Sequence, residues 1–426
     1  MVLFLVFAFT VGYILIVMEH FNNINKTATA LITGVVCWTI YILHTPDKEL
    51  VSEQLTGHLG ELSGILFFLM GAMAIVELID AHNGFELITS RIIQTDKRKL
   101  LWIVSFITFF LSALLDNLTS TIVMITLLRK LIRDKDERLF FAGMVVIASN
   151  AGGAWSPIGD VTTTMLWIGK QITAANIIIK LILPSLVCLL TPLIIMSFKL
   201  KGPIKDGPIV EETVPEMLSR KHQKIVFFSG LFIILMVPVF KTLTHLPPYM
   251  GMLIGLGILW VITEFLHGDK DEEDRHQLSV AYALGKIDTS SILFFLGILL
   301  CVAALQVTGI LTNIAAALNS VFGSVNIVVI VIGLLSSIID NVPLVAASQA
   351  MYPISQYPTD HYFWEFLAYT TGTGGSALII GSAAGVAAMG MEKIKFFWYM
   401  RRISWLALLG FFAGAFIYIL QEKIFG

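Results

Sequence analysis

The chain has 426 residues, 56% hydrophobic and only 14% charged, with a formal net charge of −2. A soluble domain carries about 25% charged residues, so this composition excludes one and indicates an all-α polytopic protein embedded in a lipid bilayer. Apolar runs that are continuous rather than alternating exclude a membrane β-barrel, and no basic stripe interleaved with aromatics points to nucleic acid.

In chain order, residues 1–25 are read as a peripheral N-terminal span. Met1–Met18 lacks a basic leading region and a small-residue cleavage site, so it is not read as a signal peptide. Residues 26–198 form a first repeat. Within it, Asp116-Asn117 interrupts the apolar run Leu100–Leu131, predicting a re-entrant helical hairpin over about 99–132. The stretch Ser149-Asn150-Ala151-Gly152-Gly153-Ala154-Trp155-Ser156-Pro157-Ile158-Gly159-Asp160 then predicts a broken helix over about 139–168, because glycine and proline disfavour a helix interior. Residues 199–248 hold a basic linker, Lys199–Lys224 with Pro203, Pro208 and Pro215, and a connecting span, Ile225–Lys241. Residues 249–426 form a second repeat. Its hairpin, about 324–352, turns at Asp340-Asn341, and its broken helix, about 362–391, contains Thr370-Thr371-Gly372-Thr373-Gly374-Gly375-Ser376 and Gly381-Ser382. The short amphipathic stretches Gly84–Ile93 and Leu311–Val321 are expected at opposite interfaces. The sum is roughly ten crossing elements at ~20 residues each, plus two hairpins.

The repeat assignment rests on four anchors in the same order. Leu31–Trp38 resembles Leu253–Trp260, and Ile65–Leu69 resembles Ile292–Leu296. The Asp-Asn pair recurs, and Ala151-Gly152-Gly153 with Ile158-Gly159-Asp160 parallels Thr373-Gly374-Gly375 with Ile380-Gly381-Ser382. Loops on the cytoplasmic side carry excess Lys and Arg. Arg91, Lys97, Arg98, Lys99 and Arg129, Lys130, Arg133, Lys135, Arg138 flank the first hairpin, whereas Gly309–Gly323 and Tyr352–His361 around the second hold none. The hairpins therefore enter from opposite sides, and the repeats are inverted. This topology places 23 of the 28 basic residues inside. Both termini then lie outside, with the protein in the cell (inner) membrane.

A carboxylate at bilayer depth costs about 2.5–3.5 kcal/mol and marks a functional site by default. Unwound backbone at that depth is tolerated only when buried in protein or lining a wet cavity, and such breaks near the interface of inverted repeats form ion sites in transporters. The oxygens gathered here suit a small hard cation: Asp116, Asn117, Asn150, Asp160, Thr162, Thr163, Asp340 and Asn341, with Thr373, Ser376 and Ser382 in support. Ser112 and Ser336 each lie one turn before a tip carboxylate and share its helical face. Sodium is expected at Asp116, Asn117 and Asp160. No His/Cys cluster suggests a soft metal, and no cofactor or enzymatic motif is apparent. The three cysteines read as small core residues. Burial disfavours the charged form of a carboxylic acid, so such a site binds either a proton or a sodium ion, and mutual exclusion yields exchange.

The motifs Ser112…Asp116-Asn117, Ser149–Thr163 and Asp340-Asn341-Val342-Pro343 resemble those of NhaD-type sodium/proton antiporters, in the wider ion transporter superfamily. The resemblance covers nearly the whole chain. It implies exchange of Na⁺ or Li⁺ for H⁺ and a homodimer with a scaffold and an elevator-like transport domain. It also implies a relay of Asp116, Asn117, Asn150, Asp160, Thr162, Thr163, Ser336, Asp340 and Asn341. The superfamily's anion symporters carry Ser-Asn-Thr at the hairpin tips, and Asp replaces that Ser here.

Competing readings stand beside these. Asp116 and Asp340 also suit plain helix N-caps. Asp160 has no acidic counterpart, since Ser382 occupies its place, which makes it the leading carboxylate. Thr and Ser hydroxyls often bond back to their own helix. Glu77 and Asp80 form either a proton vestibule or a solvated helix end. The histidines fall at span ends, and nothing selects one as a sensor. The alternative function is a sodium-coupled dicarboxylate or other anion symporter.

Overall fold

The computed structural model describes residues 1–19, 24–90, 92, 94, 96–204, 219–268 and 276–425. Most of the predicted linker falls at 205–218, outside the described residues, as do Arg91 and Ile93 of the first interfacial stretch. Among the described residues the chain is helical, with a single isolated bridge between Asp96 and Pro203. Seven helices are long and apolar enough to cross a membrane alone, or eight if one bent pair counts as a span. The protein is a multi-pass helical membrane protein. The count is below ten because the two broken helices are divided into pieces that do not qualify by themselves, and the N-terminal helix Val2–Val17, at 16 residues, is short of a full span.

The helices are α1 (Val2–Val17), α2 (Lys26–His44), α3 (Lys48–Ala81), α4 (Lys97–Leu114), α5 (Asn117–Leu131), α6 (Lys135–Gly153), α7 (Val161–Ile168) and α8 (Ala174–Lys199). They continue as α9 (Arg220–Thr244), α10 (Pro248–Leu266), α11 (Thr289–Val307), α12 (Ile310–Phe322), α13 (Val325–Leu335) and α14 (Asn341–Met351). The last four are α15 (Tyr362–Gly374), α16 (Ala383–Glu392), α17 (Phe396–Arg402) and α18 (Ser404–Phe425). Short helices at Glu86–Thr89 and Val280–Lys286 fill two connections. The α12 and α13 axes differ by 114°, so the amphipathic stretch turns sharply into the first arm of the second hairpin.

Breaks occur where local chemistry supplies a cap. Asp116 accepts from Thr119 N at the start of α5, and Asp340 accepts from Val342 N at the start of α14. Asp160 caps α7 through Thr162 N, and Ser382 caps α16 through Gly385 N. Each cap satisfies an orphan N–H of the first turn.

Packing separates the helices into two groups. In one, α2 lies along α11, α3 against α10 and α11, and α9 against α10. In the other, α4 and α5 pack on α6, α13 on α15, and α8 against α18. The second group holds the most buried chain: residues 141–153 and 363–377 are buried without exception. A helix buried all round sits at the centre of its bundle. Its close approach depends on glycine at matching places. A Cβ on Gly152 would collide with the Phe109 carbonyl oxygen, and one on Gly374 with that of Gly333.

The hairpins also reach across halves. The first hairpin's α5 packs on α16, and the second hairpin's α14 packs on α7. This exchange brings the N-termini of α5, α7, α14 and α16 to one place.

Candidate functional site

Asp160 lies at the centre of that convergence and is 2% exposed. Asn117 donates its side-chain N–H to Asp160 Oδ2 over 3.0 Å. Asn341, from the other half, donates to both Asp160 oxygens over 3.3 and 3.1 Å. The backbone N–H of Thr162 adds a contact of 3.1 Å to Oδ1. One carboxylate thus collects amide donors from both hairpin tips and from its own helix.

Asn150 extends the cluster into the second half. Its oxygen accepts from Asn117 at 3.1 Å, and its N–H group donates to Ser376 Oγ and Ser382 Oγ, both at 2.9 Å. Asp160, Asn117, Asn341, Asn150, Ser376 and Ser382 therefore form one connected, buried polar network. Networks of this kind are stable only when nearly every member is satisfied.

The two tip carboxylates stand apart from this network. Asp116 is half-buried and held by Thr119, whose N–H lies 2.7 Å and hydroxyl 2.8 Å from its oxygens. Asp340 pairs with Lys26 Nζ at 3.5 Å. The capping and ion-site readings are not exclusive: all three aspartates cap helices, and the caps converge.

The remaining candidates fall elsewhere. Ser112 and Ser336 do not touch the tip carboxylates; they donate to the carbonyls of Ser149 at 2.6 Å and Thr371 at 2.8 Å. These equivalent bonds fasten each hairpin to its own broken helix. Thr163 bonds back to the Asp160 carbonyl at 2.9 Å, and Thr373 to that of Tyr369 at 2.6 Å. Thr162 contributes its backbone N–H.

Sequence reasoning missed three features. Thr119 was available as the third residue after an N-cap Asp, a position whose N–H the cap bonds. Lys26 carried no signal, because its partner lies 314 residues away. The third is a buried histidine pair, with His82 Nε2 and His267 Nε2 2.8 Å apart. Only one nitrogen of such a contact carries the proton.

Glu77 and Asp80 line a cavity of about 390 Å³ with Glu86, Lys130, Lys286 and Asp288. Thr119 also lines it, so the cavity reaches the residue that holds Asp116. The three cysteines are buried and free. Among the described residues, no group of three or more His, Cys, Asp or Glu could hold a metal ion.

The sequence profile of a family described as citrate transporter matches residues 13–374. Sodium/proton antiporter 1 of Arabidopsis thaliana is 48% identical over 416 residues, spanning 98% of this chain and 72% of that protein. Sodium/proton antiporter 2 of the same plant is 46% identical, spanning 96% of this chain and 97% of its own length. The Na(+)/H(+) antiporter NhaD of Vibrio cholerae is 30% identical over 441 residues, covering 97% and 90% of the two chains.

Proposed function

The chain belongs to the NhaD-type sodium/proton antiporters, within the family described as citrate transporter, and from that premise we propose that it exchanges Na⁺ or Li⁺ for H⁺ by alternating access. The observation that carries this reading is acidic capping where four helix N-termini meet. Each N-terminus bears roughly half a positive charge, about +2 for the four together. Bare, they would make an anion site. Asp116, Asp160 and Asp340 cap three of the four, and although Lys26 offsets Asp340, the carboxylates take up the bare N–H groups that an anion would need. The site therefore favours a cation.

Asp160 is the exchanging group in this reading. Ionised, it is steadied by Asn117, Asn341 and the Thr162 N–H, while its remaining lone pairs and the amide oxygens suit a hard alkali ion. Protonated, it loses the charge that attracts the ion. Cation and proton thus compete for one carboxylate, with Asp116 as the relay on the cavity side. By the distribution of basic residues, the cavity from Glu77 and Asp80 to Thr119 opens toward the cytoplasm. The helices around α2, α3, α10 and α11 serve as the fixed body, and the hairpins and broken helices as the moving one. A homodimer built through the fixed body belongs to the same proposal.

The citrate-transporter match favours a second reading, sodium-coupled uptake of a dicarboxylate or other anion. The acidic caps oppose it, since an anionic substrate would meet carboxylates at three of four helix ends. Purified protein in liposomes separates the two. Sodium added at alkaline pH should drive proton movement in wild type and not in Asp160→Asn. Sodium-dependent uptake of labelled dicarboxylate without proton counterflow would overturn antiport.

A further inference from the structure

We propose that Lys26 is a tethered counter-ion for Asp340, so that in the conformation seen here the protein itself, not a transported ion, neutralises the second hairpin tip. This rests on the antiport reading and deepens it by giving the two tip carboxylates different tasks.

The geometry places the two partners on different bodies. Lys26 opens α2, and its backbone N–H donates to the Glu19 carboxylate at 3.0 Å. The adjacent Thr27 hydroxyl donates to the Ser290 carbonyl at 3.0 Å, fastening this end of α2 beside the start of α11. The Lys26 ammonium lies 4.6 Å from the centre of the Phe294 ring, also on α11. Asp340 belongs instead to the second hairpin, whose arms pack on α7 and α15 while α14 also lies along α11. The 3.5 Å ion pair therefore bridges the two groups of helices, with the side chains 27% and 19% exposed.

Three physical points favour a functional pair over an incidental contact. A cation in the first turn of a helix opposes the macrodipole, so Lys26 is poorly placed unless a partner compensates it. Asp116, the repeat counterpart of Asp340, makes no ion pair among the described residues and relies on Thr119. Asp340 also directly precedes Asn341, which donates to Asp160. Drawing Asp340 toward Lys26 turns the tip so that Asn341 faces the exchanging carboxylate while the neighbouring negative charge is offset. A shift of the hairpin by one helical turn, about 5.4 Å, would part the two and free Asp340.

The test compares sodium KM at one alkaline pH in liposomes for wild type, Lys26→Met, Lys26→Arg, Asp340→Asn and the double variant Lys26→Met/Asp340→Asn. Without its tethered cation, Asp340 takes one from solution, so Lys26→Met should lower the sodium KM roughly fivefold. Lys26→Arg should keep the wild-type value, and the double variant should match Asp340→Asn alone. An unchanged KM in Lys26→Met, or a shift that persists in the double variant relative to Asp340→Asn, overturns the proposal. A second measurement does not depend on transport. The pair Lys26→Cys/Asp340→Cys should be joined in membranes by a short thiol cross-linker, with a yield that changes when sodium is added. No cross-link under any condition also overturns it. A wild-type protein that moves no protons against sodium overturns the antiport reading instead, and is told apart because the cross-link still forms.

Discussion

The two hairpin tips share the dipeptide Asp-Asn and the same local fold, yet their carboxylates meet different surroundings. Asp116 is cradled by the N–H and hydroxyl of its own helix and lies beside a cavity. Asp340 reaches across to a lysine on another body. The amides behind them stay equivalent, because Asn117 and Asn341 both donate to Asp160. The break residues diverge again, Asp160 in one half and Ser382 in the other, although both cap their helices. Capped helix breaks in both halves of the chain thus carry a one-sided arrangement of charge. In the proposed exchange, that asymmetry singles out Asp160.

The sharpest way to break this comparison is to move the charge. Asp160→Asn should abolish exchange while the protein remains folded in a thermal-shift assay, since Asn caps a helix as well as Asp. Asp160→Ser combined with Ser382→Asp should not restore it. Both tip amides aim at position 160, whereas Ser382 receives Asn150 and the N–H of its own helix. Recovered proton flux in that double variant would show that the halves are interchangeable.

Next in size come Asn117→Ala and Asn341→Ala. Each removes one N–H donor from a buried charge, worth about 1.5–3 kcal/mol, so sodium-driven flux should fall roughly ten- to a hundredfold in both. Clearly unequal losses would mean that one tip alone serves Asp160. Thr119→Ala should act more weakly, raising sodium KM by roughly two- to tenfold through Asp116, because its hydroxyl bonds a half-buried carboxylate that water also reaches, which brings the loss nearer the ordinary hydrogen-bond value of about 0.5–1.5 kcal/mol. The smallest effects are expected from Ser112→Ala and Ser336→Ala. Each gives up one bond to a broken-helix carbonyl and should destabilise by about 1 kcal/mol, read as closely matched shifts in melting temperature.

Much of this molecule is legible in its sequence. The Asp-Asn pairs and glycine runs mark where helices stop, because capping and helix-breaking are local properties of a few adjacent residues. Asp160 stands out by the same logic, as an acidic residue ending a glycine-rich break with only a serine in the matching position. The assignment of Ser112 and Ser336 to the faces of their carboxylates was less successful. Helical spacing gives the direction of a side chain but not its partner: the tip aspartates turn to cap α5 and α14, and the carbonyls of Ser149 and Thr371 on the packed helices lie within reach of the two hydroxyls.

By itself, the sequence determined that the chain is helical, lies in a membrane, repeats its apolar pattern and breaks at defined points. Each of these follows from hydropathy, caps and backbone stiffness over a few neighbouring residues. Only the tertiary structure decided that Asn341 faces Asp160 and that Lys26 takes Asp340. Those choices join groups 181 and 314 residues apart. They depend on how α14 packs against α7 and how the start of α2 is fastened beside α11, which no local pattern encodes.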